Sequence, residues 1–365
     1  MTHELPSTSP PAQAEGEVTL KQIARLAGVS IATVSRAINQ PGMVAAPKLK
    51  AIEEVMEKLS YIPNQAARIL LHGRSMTVGL IVPTMANPLF APTIEGAEET
   101  LRWAGYGVLM ACSNRDPDRE FEQVRTMLGR GVDGLILTGS NHHPMLLPLV
   151  RSRSVAVVFQ DCADTYPGST SVAMQDAAAM ALAIDTLVVA GHQHIALLTG
   201  PTGNTPPVAD RVHGALEALA RHGIALPPGG YAETPDYDAV HARDAVRGLL
   251  ALSPGFTAIA CTGDILALGA IMAIREQGLS VPDDISIIGC SDSVMAQYVD
   301  PPLTTIHLPF RRMGEVAAEQ LVRALADTST AGLSFMPFHL ETRRSVAEPP
   351  RRGTPPTSRR YQERK

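Results

Sequence analysis

The sequence predicts an all-α helix-turn-helix headpiece followed by a larger α/β body of two lobes built on parallel sheets. Three observations predict it. A capped helix, a glycine turn and a second capped helix follow one another between Thr19 and Arg36. From Thr77 onward, short continuous apolar runs alternate with helical segments. The charge changes sign between these parts: residues 17–75 carry eight Lys/Arg against four Asp/Glu, and residues 76–348 carry seventeen against twenty-nine. The chain has 365 residues, 45% of them hydrophobic, which is room for two or three domains with a substantial core.

Residues 1–16 are rich in Pro, Ser, Thr and Ala and show no periodicity, so a disordered tail is expected. They hold no Lys or Arg and no apolar block, unlike a secretory signal. Thr19 and Gln22 then stand at capping-box spacing, and Leu20, Ile23, Ala24 and Ala27 make one apolar helical face. Gly28 suits the left-handed turn that ends this helix, and Ser30 caps a second helix carrying Ile31, Ala32, Thr33, Ser35 and Arg36. This geometry can lay one helix in the major groove, although ordinary helical hairpins share it. A third helix is expected over residues 47–60, with Leu49, Ile52, Val55, Met56 and Leu59 closing a core over Leu20, Ile23 and Val34. It lacks a Ser or Thr cap. Residues 63–71 read as a helix too short to be stable alone.

Gly28-Val29-Ser30 with Thr33-Val34-Ser35-Arg36, followed by Tyr61-Ile62-Pro63-Asn64 and Ala67-Arg68-Ile69-Leu70, resembles the headpiece of the lactose/galactose repressor (LacI/GalR) family. The resemblance extends to about Ser345. It implies a helix-turn-helix domain over 17–62, a hinge helix and linker over 63–75, and a two-lobed periplasmic-binding-protein-like body over 76–346. That body would bind an effector and dimerise. It further implies a transcriptional regulator, most often a repressor, that works in the cytoplasm as a homodimer on double-stranded, pseudo-palindromic operator DNA. In the family the hinge folds on the operator and its leucine wedges into the minor groove; Leu70 matches that leucine, with Ala67 and Arg68 on the same segment. The alternative is a linker helix whose Leu70 packs against the body.

In the body, strands are expected at residues 78–82, 108–111, 135–138, 155–159, 195–199, 258–261 and 285–288, and helices at 93–104, 120–130, 177–190, 212–222, 242–252 and 265–277. This order reads as uniformly βαβ. The first lobe should start near Thr77 and the second near Val172, with crossovers near Val172 and Thr304–Leu308. A last strand over 338–345 would carry Arg343 and Arg344. Residues 347–365 form a Pro/Arg-rich basic tail, expected to be disordered.

Side-chain chemistry divides the candidate contacts. Arg36 can give two hydrogen bonds to a guanine. Ile31 and Ala32 sit where the family faces base edges, and being apolar they can only touch a thymine methyl or shape the contact. Thr19, Thr33, Ser35, Asn39, Tyr61 and Asn64 suit phosphates, while Ser30 can act as a cap alone. For the effector, the resemblance points to Phe90, Ser140, Asp161, Arg211, Tyr237 and Ser291. Arg211 offers a planar donor fork, and Phe90 and Tyr237 offer flat faces. Gly263 and Ser291 stand where sugar-responsive relatives usually show Asn and Asp, which leaves the effector open and favours a neutral or anionic one over a typical purine. Asp264 reads as a helix cap.

Enzyme signals are weak: no GxGxxG, Walker or GxSxG motif occurs, and no cofactor is expected. His142-His143 and His192-Gln193-His194 lack metal-helix spacing and read as surface or capping histidines. The four cysteines lack CxxC spacing and read as reduced thiols. A pure solute-binding protein, or an enzyme on the same scaffold, are the competing readings.

Overall fold

The computed structural model describes residues 18–62, 74–252, 255–326 and 331–350. The hinge candidates Asn64, Ala67, Arg68 and Leu70, the first tail and residues 351–365 of the second lie outside them. The start of the second tail, expected to be disordered, is instead bound: the Ala347 amide donates to the Ser286 hydroxyl at 3.0 Å. The chain divides into two compact units, residues 1–75 and 76–365.

Among its described residues the first unit holds three α-helices: α1 (Leu20–Leu26), α2 (Ile31–Asn39) and α3 (Ala46–Lys58). Each boundary has a local cause. The Thr19 hydroxyl accepts from the Gln22 amide at 3.3 Å and the Ser30 hydroxyl from the Thr33 amide at 3.1 Å, so both predicted caps form. Gly28 turns at φ +65°, where a side chain would strain the backbone. Helix α3 starts at Ala46 with no side-chain cap, as its sequence predicts, and carries Pro47 in its first turn. Ile23, Val34 and Ile52 are fully buried, with Leu20, Leu49, Val55, Met56, Leu59 and Tyr61 packed around them.

The second unit holds two six-stranded sheets. The first, in the order β11-β5-β4-β3-β1-β2, contains β1 (Thr77–Val82), β2 (Gly107–Cys112), β3 (Gly134–Thr138), β4 (Ala156–Gln160), β5 (Thr170–Ala173) and β11 (Gly332–Phe335). All its neighbours are parallel. The second, in the order β12-β10-β9-β8-β6-β7, contains β6 (Ile195–Thr199), β7 (Tyr231–Glu233), β8 (Ala258–Cys261), β9 (Ser286–Ser291), β10 (Thr304–His307) and β12 (His339–Glu341). Here β12 runs antiparallel to β10. The α-helices among the described residues of this unit are α4 (Ala91–Trp103), α5 (Pro117–Gly129), α6 (Leu146–Ser152), α7 (Asp176–Val189), α8 (Pro206–Arg221), α9 (Ala239–Leu252), α10 (Asp264–Glu276) and α11 (Phe310–Ala326). Helix α4 packs on α11, α7 on α8, and α9 on α10.

The predicted lobes are present, with corrections. The second lobe begins close to Val172, as expected: that residue is buried in β5 of the first sheet, and the chain crosses just after Ala173. It crosses again between β10 and α11, as expected, and a third time between β11 and β12. The pattern is not uniformly βαβ, because β4 reaches β5 without a helix and β12 is antiparallel. Arg343 and Arg344 lie beyond the short β12. A single core cluster spans both lobes, from Leu80 and Val158 on the first sheet through Met313 on α11 to Met180 on α7 and Leu197 and Ile288 on the second. Three crossings and a shared core tie the lobes together.

Close helix contacts depend on glycine. A Cβ at Gly314 of α11 would overlap the Thr93 carbonyl of α4, and one at Gly96 of α4 would overlap the Arg311 carbonyl. Gly314→Ala is therefore expected to lower unfolding stability by about 1–3 kcal/mol, the range for overpacking. Gly129→Ala, where no atom lies within 4 Å, should leave stability equal or raise it. Urea denaturation of both variants reads the difference; equal effects would show that the glycine notch does not set the α4–α11 distance.

Candidate functional site

On the headpiece, α2 presents Ile31, Ala32 and Arg36 to solvent. Ile31 keeps 47% of its surface exposed, unusual for an isoleucine on a packed helix. The candidate phosphate contacts differ in freedom. Thr19 and Ser30 are exposed but occupied as caps. The Thr33 hydroxyl lies 2.8 Å from that of Ser30. Asn39 turns back on its own helix, donating to the Ser35 carbonyl at 2.9 Å, and its Oδ1 is buried without a partner. Tyr61 is half-buried against the headpiece core.

In the second unit the carboxyl ends of both sheets' strands face a cleft, where open α/β sheets take ligands. Two cavities lie there. One is lined by Phe90, Arg115, Asp116, Glu120, Thr138, Ser140, Asn141 and Asp161 of the first lobe and by Asn204–Pro207 of the second. The other, about 430 Å³ and open to solvent, is lined by residues 87–89 and 307–312, by Tyr237, Ile265 and Leu268, and by the turn Ser291–Met295. The predicted effector residues thus divide: Phe90, Ser140 and Asp161 at the first cavity, Tyr237 and Ser291 at the second.

Arg211 lies behind both and is 2% exposed. Its Nε donates to Asp176 Oδ1 at 2.6 Å and its Nη1 to the Thr262 carbonyl at 2.9 Å. The same carbonyl accepts from the Tyr237 hydroxyl at 2.8 Å. The nearby Asp176 carboxylate holds the guanidinium charged despite its burial. The ring of Tyr237 fills the space over two glycines: a Cβ at Gly263 would lie 2.6 Å from Tyr237 Cζ, and one at Gly200 would lie 2.7 Å from Cε2. Gly263 and Tyr237 are therefore one feature, in which the missing side chain makes room for the phenol.

Asp161 sits at φ +53°, with its Oδ1 buried and without a hydrogen-bond partner. Burial, reinforced by the Asp176 carboxylate and opposed by Arg211 and Arg115, pushes its pKa up to about 7. Behind it, Gln160 donates to Thr138 Oγ1 at 2.9 Å and leaves its own Oε1 unpartnered.

Three sequence readings are corrected. Asp264 does not cap its helix: its carboxylate receives the Thr305 hydroxyl at 2.5 Å and the Ser293 amide at 2.6 Å, joining α10 to β10 and the turn after β9. His142 is not a surface residue; its Nδ1 meets Glu120 Oε2 at 2.7 Å in a pair whose side chains are 6% and 4% exposed. His192 is also buried, bridging Thr257 and the Ala347 carbonyl. Sequence reasoning did not find Asp176, the partner of Arg211, because 35 residues separate them and no local pattern marks the pair. The four cysteines are free thiols. Among the described residues no metal-binding group of His, Cys, Asp or Glu occurs, and no helix is long and apolar enough to cross a membrane.

Known proteins agree with this architecture. Residues 19–64 match the lacI family of bacterial regulatory proteins, and residues 184–346 match the periplasmic binding protein-like domain. The chain is 33% identical over 330 residues to the HTH-type transcriptional repressor PurR of Aliivibrio salmonicida, covering 90% of this chain and 98% of that one. It is 33% identical over 310 residues to the ribose operon repressor of Escherichia coli, covering 84% and 93%. Its structure is similar to that of the Lac repressor dimer bound to operator and the anti-inducer ONPF, with a TM-score of 0.82 at 28% identity over 91% of this chain and all of that one. The chain belongs to the lacI family of bacterial regulatory proteins. It is a DNA-binding transcriptional repressor with an effector-binding C-terminal domain, and not an enzyme.

The raised pKa of Asp161 has a signed consequence. The folded state holds this proton up to about pH 7, whereas the unfolded chain releases it near the ordinary carboxylate value of 3.8. Between those values the folded state binds more protons, so this group makes stability fall as pH rises. Asp161→Asn should therefore become increasingly stabilised relative to the parent between pH 5 and pH 8, seen as a widening difference in thermal midpoint. A difference independent of pH would show that the carboxyl is ionised throughout.

Proposed function

We propose that two copies of the chain bind one pseudo-palindromic operator, one headpiece per half-site, and that a small metabolite in the cleft alters that affinity. The exposed face of α2 supports the reading: Ile31, Ala32 and Arg36 are left out of the headpiece core and open to solvent. Arg36 is assigned a guanine contact, and Ile31 and Ala32 apolar contacts such as a thymine methyl. Thr19, Thr33, Ser35, Asn39, Tyr61 and Asn64 are assigned to the backbone, with Ser30 holding the helix start. Asn39 would need to leave its bond to Ser35. Residues 17–62 then form the DNA-binding domain, 63–75 the hinge and 76–346 the effector-binding and dimerisation domain, with tails at 1–16 and 347–365. The protein acts in the cytoplasm.

Dimerisation has a physical basis, since one headpiece makes too few base contacts for useful specificity. The Lac repressor, similar in structure, is a dimer on its operator. Val240 on α9, Met272 on α10 and Tyr298 just after β9 are large apolar side chains left exposed, and a second copy would cover them. In the cleft, Phe90, Ser140, Asp161, Tyr237 and Ser291 are assigned effector contacts. Arg211 is assigned a positioning part, since two of its donors are already held.

Band-shift assays on the DNA upstream of the chain's own coding sequence test this. The full chain should bind, with affinity falling steeply as salt rises because bound phosphates release counterions. The body from Met76 onward should not bind; a shift by that fragment would refute the domain assignment. Leu70→Ala should cost about 1–3 kcal/mol on the operator and little on random DNA, because only the specific complex is bent by a wedge. Equal losses on both duplexes would reduce Leu70 to linker packing.

A further inference from the structure

Residues 76–348 hold seventeen Lys/Arg against twenty-nine Asp/Glu, so the body as a whole repels DNA. Its basic side chains are nevertheless gathered. The strands of the first sheet start at one edge: Thr77 of β1 pairs with Gly107 of β2, Val78 with Gly134 of β3, and Gly134 with Ala156 of β4. The helices that return to those strands end at the same edge, α4 before β2, α5 before β3, α6 before β4 and α11 before β11. The chain arrives from the first unit at this edge too, because β1 begins directly after residue 76.

Five of the body's seventeen Lys/Arg stand on these helix ends. Arg102 is in the last turn of α4 and Arg130 just after α5; Arg151 and Arg153 end α6, and Arg323 is in the last turn of α11. All five are exposed. The carboxylate of Asp133, beside the start of β3, is occupied by the Met76 amide at 2.8 Å.

Arginine near a helix C-terminus has an ordinary reason, since it complements the helix dipole. The second lobe shows that use, with a carboxylate partner each time: Arg221 at the end of α8 meets Asp185 at 2.9 Å, and Arg275 at the end of α10 meets Asp300 at 2.9 Å. The first-lobe edge differs. The side chains of Arg130, Arg153 and Arg323 make no hydrogen bond or ion pair among the described residues. Arg151 donates only to the Pro167 carbonyl at 3.1 Å. Arg102 lies 3.8 Å from Glu98 and 5.0 Å over the ring of Trp103, which is itself 77% exposed. Dipole compensation therefore leaves unexplained why the carboxylates are withheld at this edge alone.

We propose that this edge of the first lobe is an auxiliary DNA-binding surface, whose arginines meet backbone phosphates of the duplex that the headpiece holds. A guanidinium fork matches phosphate oxygens. The five arginines are spread over four helix ends, not along one helix that could enter a groove, so they meet the backbone and carry no sequence information. Duplex DNA is the partner because the edge is where the chain bearing the headpiece joins the body. Alone, so few contacts are too weak to shift DNA. Tethered to a bound headpiece, they act at high effective concentration.

The test uses the full chain with a random-sequence duplex, where base contacts do not mask phosphate contacts. Arg130→Gln, Arg153→Gln and Arg323→Gln are combined in one variant, and the same three positions are changed to Lys in a second. A third variant, Arg221→Gln with Arg247→Gln and Arg275→Gln, removes the same charge from the second lobe. The first variant should bind about tenfold more weakly or worse, and the slope of log affinity against log salt should fall by at least one. The Lys variant should stay close to the parent, because phosphate contacts need the charge. The second-lobe variant should also stay close to the parent, because a local contact does not depend on net charge. Unchanged affinity and slope in the first variant overturn the proposal. So does an equal loss in the Lys variant, which would mark a structural role, or in the second-lobe variant, which would mark a general field effect. Sedimentation of the first variant should give the parent's mass; dissociation would make the edge a contact between copies of the chain and overturn the DNA assignment.

Discussion

The buried Arg211 guanidinium is the interaction on which the cleft depends. It leaves α8, binds the first residue of α7, Asp176, and reaches the Thr262 carbonyl directly after β8. Helix α7 is also the element that receives the chain as it enters the second lobe. One side chain thus fixes the crossover helix, the strand end and, through the shared Thr262 carbonyl, the Tyr237 hydroxyl. A buried ion pair adds little to stability against an apolar alternative, but losing one partner strands a charge in the core. Arg211 is best understood as holding the floor of the cleft in register, with the ligand meeting that floor.

This arrangement sits inside a body whose lobes are joined three times and share a core cluster. Relative motion of the lobes then has to repack α11 and α7, which lie on either side of the crossings. Packed interfaces of this kind tend to adopt discrete arrangements and resist continuous deformation, as a two-state regulator requires. A ligand that contacts both lobes shifts such an equilibrium by its difference in affinity for the two arrangements, and by no more.

Much of this was legible in the sequence, for local reasons. Caps at Thr19 and Ser30, the turn at Gly28 and the apolar stripe of α3 are each set within a few residues, and all formed as read. The continuous apolar strands announced sheets covered on both faces. The failures were non-local. Strands β5 and β10 are short and buried, and their sequences do not say which sheet they join. Helix α11 is missing from the helices expected from sequence, although its buried apolar face runs from Phe310 to Leu321. Asp264 looked like a cap from its position, but two partners from β10 and its neighbouring turn claimed it. In the cleft, the departure at Gly263 was visible in sequence, but its meaning was not. Only the fold brings Tyr237, distant in the chain, over that glycine.

The central claim is that occupancy of the cleft changes the grip of the headpiece on DNA. Linkage makes that claim measurable in one experiment, since a ligand and an operator that affect each other must do so equally in both directions. Operator affinity should be measured with and without the tightest cleft ligand, in the parent chain and in Asp161→Asn. The account predicts a ligand-dependent change in the parent, an unchanged affinity without ligand in the variant, and loss of the ligand effect in the variant at the same ligand concentration. An identical ligand effect in both proteins would contradict it, because the coupling would then originate outside the cleft.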